Sequence, residues 1–226
     1  MIKGIQDGQM IAHFTSGSRS RWSPVFLGIA LFSVTACSDA VDTKRRPQYK
    51  ENPNPVQAYR LRMHIHDAPG PLKVTVSAIQ HDVVTPECLP PPNANPGGHL
   101  SPIPTNDIPL HLERVSEAEY TGVFYKDAMI DEDYHGRGIC RWELIQVQVQ
   151  LSAAGAEQET RFISSLNREQ IEGGEGKRTY FWKSRYPRVE DFDAFPDLGE
   201  SDVDAIPEGS RAEFFSVSME AEELTK

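Results

Sequence analysis

Between Trp142 and Leu151 the chain reads Trp-Glu-Leu-Ile-Gln-Val-Gln-Val-Gln-Leu. Apolar and polar residues alternate there, and the glutamines fall at every second position. Period two belongs to a β-strand, whose successive side chains point to opposite faces of a sheet. A helix would scatter the glutamines around its axis. The alternation sorts Glu143, Ile145, Val147, Val149 and Leu151 to one side and Trp142, Leu144, Gln146, Gln148 and Gln150 to the other. A sheet with one wet face is the expectation.

The same period recurs along the chain. Tyr59, Leu61, Met63 and Ile65 alternate with Arg60, Arg62, His64 and His66. Asp67-Ala-Pro-Gly-Pro71 reads as a turn, after which Leu72, Val74 and Val76 resume the pattern and predict a hairpin. Residues 110–115 and 120–125 read as a second hairpin. Residues 160–165, 179–183 and 211–219 complete the set. Seventeen prolines and sixteen glycines favour many turns over long helices. The predicted fold is mostly β: an antiparallel β-sandwich of about seven or eight short strands, behind a flexible tether. Only 168–174 and 219–225 have helical composition. Residues 85–107, which hold nine prolines and glycines, read as one long irregular loop. Residues 173–179 (Gly-Gly-Glu-Gly-Lys-Arg-Thr) read as a hairpin turn: a phosphate-binding loop needs serine or threonine after Lys177, and Arg178 stands there.

The start of the chain carries a different signal. Arg19 and Arg21 precede ten mainly apolar residues, 25–34, and then Thr35-Ala36-Cys37. A basic segment, a short apolar run and small residues form the layout of a secretory signal. The run is too short to span a bilayer as a helix. Val34-Thr35-Ala36-Cys37 resembles the lipobox of bacterial lipoproteins. That resemblance implies cleavage after Ala36, diacylglycerol on the Cys37 sulfur, and acylation of the new amino terminus. Several acyl chains anchor a protein stably to a membrane where one is marginal. By the same resemblance, Ser38 after the cysteine favours the outer membrane, with the domain facing the periplasm. Translation starts at Met1 or at Met10; the latter leaves a signal of ordinary length. The expected organisation is a signal at 1–36, a lipid anchor and tether at 37–57, a β-sandwich at 58–188, and an acidic C-terminal segment with a final strand at 189–226.

With Cys37 taken by lipid, Cys88 and Cys140 remain. The envelope is oxidising, so a disulfide between them is permitted, and two free thiols are the alternative. Such a bridge closes a loop of roughly fifty residues, worth about 4 kcal/mol by chain entropy.

Net charge is −10, and residues 189–226 alone carry twelve acids against Arg211 and Lys226. The rest of the chain is therefore close to neutral and has none of the concentrated basic surface that nucleic acid requires, so no nucleic-acid partner is expected. Within the acidic segment, Asp191, Phe192, Asp193, Phe195, Asp202 and Asp204 mix carboxylates with aromatic rings, which points to docking on a partner or on the Arg60/Arg62 face. His64 and His66 share one strand face at a spacing able to chelate a metal, and Asp67 and His81 stand near them in sequence. Arg60 and Arg62 on that face oppose a dication, so no metal and no cofactor is expected. Asp127, Asp131, Glu132 and Asp133 lack the ordered spacing of a calcium loop. Neither Gly-x-Ser-x-Gly, Ser-x-x-Lys nor His-Glu-x-x-His occurs. The function expected is thus a non-catalytic, envelope-anchored protein-binding module, one form of which is an immunity or inhibitor protein against an envelope-targeting effector. The alternatives are a structural subunit of an envelope assembly and a metal-dependent hydrolase built on His64, His66 and His81.

Overall fold

A computed structural model describes residues 47–91 and 103–224. The expected signal and lipid-anchor residue, Cys37, and both possible starts lie outside the described residues. Among the described residues ten strands run in the order β1 Ala58–His66, β2 Lys73–Val83, β3 Thr105–Pro109, β4 Glu113–Arg114, β5 Glu119–Tyr125, β6 Trp142–Ser152, β7 Arg161–Asn167, β8 Lys177–Trp182, β9 Pro196–Asp197 and β10 Phe214–Glu223. One helix, α1 at Arg168–Gly173, lies between β7 and β8. Two five-stranded sheets form, ordered β4-β5-β1-β10-β8 and β3-β2-β6-β7-β9. Their pairings are antiparallel except β7 with β9, which is parallel. The fold is a β-sandwich, as expected, and β3 and β9 are strands beyond the seven or eight expected. No helix among the described residues is long and apolar enough to cross a membrane.

The alternation explains the core. Leu61, Met63, Phe124, Phe215, Val217 and Met219 from the first sheet meet Leu144, Val147, Val149, Leu151, Phe162 and Leu166 from the second, all buried. Phe162, Phe181 and Phe215 pack ring against ring at 5.0 to 5.4 Å. Burying a side chain of this size contributes about 1.5–3 kcal/mol.

Several expectations need correction. β1 and β2 do not form a hairpin; they lie in opposite sheets. Pro69 and Pro71 lack the N–H a ladder needs, and Asp67 turns the chain with φ 55°. The Tyr186 hydroxyl then holds the Pro71 carbonyl at 3.0 Å, so the connection arches from one layer to the other. In β6 the two faces exchange partway. Gln146 pairs with Gln80 but Leu144 with His81, leaving Ile145 as an extra residue. A bulge of this kind resets the phase, and Trp142 and Leu144 join Val147, Val149 and Leu151 among the buried residues. The proline-rich loop is partly regular: Pro86–Cys88 forms a 3-10 turn and β3 begins at Thr105. Residues 173–179 are not a hairpin turn either, because β7 and β8 belong to different sheets. Asn167 caps α1, accepting from Gln170 N at 2.9 Å, while the Gln170 side chain returns to Asn167 N. Gly174 closes the helix at φ 66°.

The C-terminal segment is no appendage. β10 lies between β1 and β8, pairing Met219 with both Met63 and Lys177. The helical composition of its end is overridden because Val217, Met219 and Ala221 face the core at strand period. The described part of the expected tether, residues 47–57, is also packed on the domain. Tyr49 meets Trp142 and Tyr134 edge-on, at 4.9 and 5.0 Å, and Lys50 pairs with Glu132 at 2.6 Å. Asn52 N donates to the Ala128 carbonyl at 2.7 Å. Beside this strip, Cys88 and Cys140 form the disulfide, buried with Val83, Leu89, Met129 and Trp142.

Candidate functional site

Between β8 and β10 the chain makes a strap that visits both sheets. It runs as β9 beside β7, where Arg161 N donates to the Phe195 carbonyl at 2.8 Å. It then crosses to β8, where Glu200 and Tyr180 exchange backbone hydrogen bonds of 2.7 and 2.8 Å. Asp197 fixes the crossing. Its side chain is 2% exposed, and Oδ1 accepts from Arg185 Nη1 at 2.8 Å and from Gly199 N at 3.0 Å. Gly199 is required at this point. Its φ is +63°, and a Cβ there would lie 2.6 Å from the Tyr180 carbonyl oxygen.

Held this way, the strap presents part of its acidic, aromatic sequence to solvent. Asp191, Phe192 and Asp193 are exposed, Phe192 by 59%, and Leu198 is exposed by 69%. Phe195 turns inward instead: the Arg185 guanidinium lies 5.3 Å from its ring centre, and its ring is 5.7 Å from that of Phe192. Asp202 caps its own turn by accepting from Asp204 N at 2.9 Å, and Asp204 pairs with Arg211 at 3.5 Å. The six residues singled out in the sequence therefore divide. Asp191, Phe192 and Asp193 form a presented ridge, Phe195 supports it, and Asp202 and Asp204 serve the local turn. Beside the ridge, an open groove of about 630 Å³ is lined by Tyr186, Arg188, Phe192 and Phe195.

The strap does not dock on Arg60 and Arg62. Those arginines meet the carboxylates of β10: Arg62 lies 3.5 Å from Glu220 and 3.1 Å from Glu222, and Arg60 lies 3.9 Å from Glu222. On the same outer face the His64 and His66 rings stand 4.2 Å apart. His66 Nε2 shares a 2.9 Å hydrogen bond with Ser218 Oγ on the neighbouring strand. Partial burial, then the neighbouring His64 and Arg178, hold His66 below the ordinary histidine pKa.

His81 does not join them. It lies in the other sheet, fully buried, and its Nε2 donates to the Lys126 carbonyl at 3.1 Å. The reason is legible: Ile79, His81 and Val83 alternate, which places His81 on the apolar face of β2. A hydrolase needing His64, His66 and His81 in one pocket is therefore not built here. Among the described residues no group of three or more histidines, cysteines and carboxylates is arranged to hold a metal ion. The acidic loop is likewise committed to structure. Asp127 accepts from the Val56 and Gln57 amides, both at 2.9 Å, and Asp131 from Trp142 N at 2.9 Å. Asp133 accepts from Arg137 N and His135 N, and these amide hydrogen bonds, that from Arg137 first, lower its pKa.

The sequence reading missed Leu198, the anchoring role of Asp197, and Ser218. An Asp-Leu-Gly run at 197–199 is a turn signal that could have marked the anchor. Ser218 becomes visible only when β10 is paired with β1. No protein-family model, no curated protein and no solved structure matches this chain.

Proposed function

We propose that this chain is a lipid-anchored envelope protein whose sandwich binds a protein partner without catalysis, docking through the strap. The supporting observation is the ridge itself. An aromatic ring exposed by 59% stands between two carboxylates, on a backbone fixed by a buried aspartate and by pairing to both sheets. An exposed aromatic on a pre-ordered support loses little conformational entropy on binding, which is the character of an interface anchor. The carboxylates select the partner's charge. A basic surface is attracted to them, and complementary charge raises association rate and specificity. The partner of this reading is a protein with a basic groove, such as an envelope-attacking enzyme held inactive by the complex. The lipid on Cys37 would keep the binding module where such an enzyme arrives.

The test is affinity capture from envelope and secreted fractions with the full lipidated chain, beside a Phe192→Ala/Asp191→Asn/Asp193→Asn variant. The expected result is one basic protein recovered in equimolar amount by the native chain and lost by the variant, with capture falling as salt rises. Equal recovery by both chains removes the strap from the interface. Recovery of resident envelope subunits through other surfaces transfers the protein to the structural-subunit reading.

A further inference from the structure

We propose that His64 and His66 form a two-histidine site for a borderline transition-metal ion, Cu²⁺ or Zn²⁺, on the outer face of the first sheet. Residues two apart on a strand leave the same face, and their rings here are 4.2 Å apart, close enough to share one ion. Imidazole nitrogen is a favoured ligand of both metals. Each ring also has its nitrogens differentiated. His66 Nε2 is engaged by Ser218 Oγ at 2.9 Å, leaving Nδ1 for a metal. His64 Nδ1 is buried, leaving Nε2 as the nitrogen able to reach one. The hydrogen bond from Ser218 gives His66 the usual support of a histidine ligand at its non-coordinating nitrogen, whereas the buried Nδ1 of His64 has no hydrogen-bond partner among the described residues.

Electrostatics decides whether such a pair accepts a dication. Arg60 and Arg62 on this face argue against it only if uncompensated, and the structure places Glu220 and Glu222 against them. Of the remaining charges around the pair, Lys177 and Arg178 disfavour the ion while Glu119, paired in register with His64, and Asp67 favour it. The local balance is close to neutral rather than cationic. The pair stands between two shallow recesses of about 340 and 220 Å³, so water or a donor from a bound partner can complete the coordination. Both histidines lie on β1, outside the Asp191–Asp193 ridge, although the recess beside His66 is walled in part by Val203, Ile206 and Arg211 of the strap.

Calorimetric titration of the untagged full-length chain in detergent with CuCl₂ and with ZnCl₂ tests this. One ion per chain is expected, with Cu²⁺ tighter than Zn²⁺ and Mg²⁺ giving no heat. His64→Ala and His66→Ala each abolish binding, Ser218→Ala weakens it about tenfold, and His111→Ala leaves it unchanged. Because variants can perturb the sheet, the histidine ring resonances of the native chain are followed in parallel. Zn²⁺ is expected to shift those of His64 and His66 first. No heat with either ion, binding that survives in the His64→Ala/His66→Ala double variant, or first shifts at His111 or His135 overturns the proposal.

Discussion

Two residues of the strap adopt left-handed backbone, and only one is glycine. Gly199 has φ 63° with backbone packed where a Cβ would go, whereas Ala194 has φ 48° and carries its methyl group. Gly199→Ala is expected to cost about 2 kcal/mol or more in urea unfolding, through strain and the clash with Tyr180. Ala194→Gly is expected to leave stability unchanged or raise it by about 0.5 kcal/mol. Equal effects at both positions would show that the crossing is not held as described. His81 gives the chain a pH dependence. Burial lowers its pKa in the folded protein, so between the unfolded value and the folded one the unfolded chain holds the extra proton. Stability from this group is fully present above about pH 6.5 and falls as pH drops through and below that value. Urea midpoints at about pH 7.5 and about pH 5 measure the loss, and His81→Leu should remove part of that slope.

At the scale of elements, the strands were readable because each buries one face, and burial demands period two. What could not be read was which strand lies beside which. Two hydrophobic runs joined by a proline-rich turn look alike whether they pair or arch, and only packing puts β1 and β2 in different sheets. The bulge at Ile145 defeated the face assignment of β6 for a related reason, since one unpaired residue inverts everything beyond it. Residues 47–57 read as tether because their composition is polar, yet Tyr49 packs on Trp142 and Tyr134, and Lys50, Asn52, Val56 and Gln57 bond to the domain. Tyr49→Ala should cost about 2 kcal/mol and shift Trp142 fluorescence to the red. An unshifted spectrum would show that Tyr49 does not pack on Trp142. Replacing Cys88 and Cys140 together by alanine should cost about 4 kcal/mol, the chain entropy of a loop whose ends lie 52 residues apart. A loss well under 1 kcal/mol would mean the unfolded chain is little constrained by the bridge.

For the whole molecule, the excess charge seen in composition proves to be distributed by role. Glu220 and Glu222 neutralise Arg60 and Arg62, Asp197 is buried as an anchor, Asp202 and Asp204 order a turn, and Asp191 and Asp193 meet solvent, as do Glu190, Glu208, Glu213 and Glu223. Of the residues singled out in the sequence for their mixture of rings and acids, Asp191, Phe192 and Asp193 are the ones that are exposed. Their framework was hidden because it depends on contacts more than ten residues away along the chain. The binding account rests on that ridge being the part of the molecule that meets a partner. Placing a photo-crosslinking phenylalanine analogue at position 192, with position 76 in β2 as reference, tests it directly in cells producing the full chain. The account predicts one discrete adduct from position 192 and none from Val76, although Val76 is itself 50% exposed. Equal adducts at both positions, or none at 192, would contradict it.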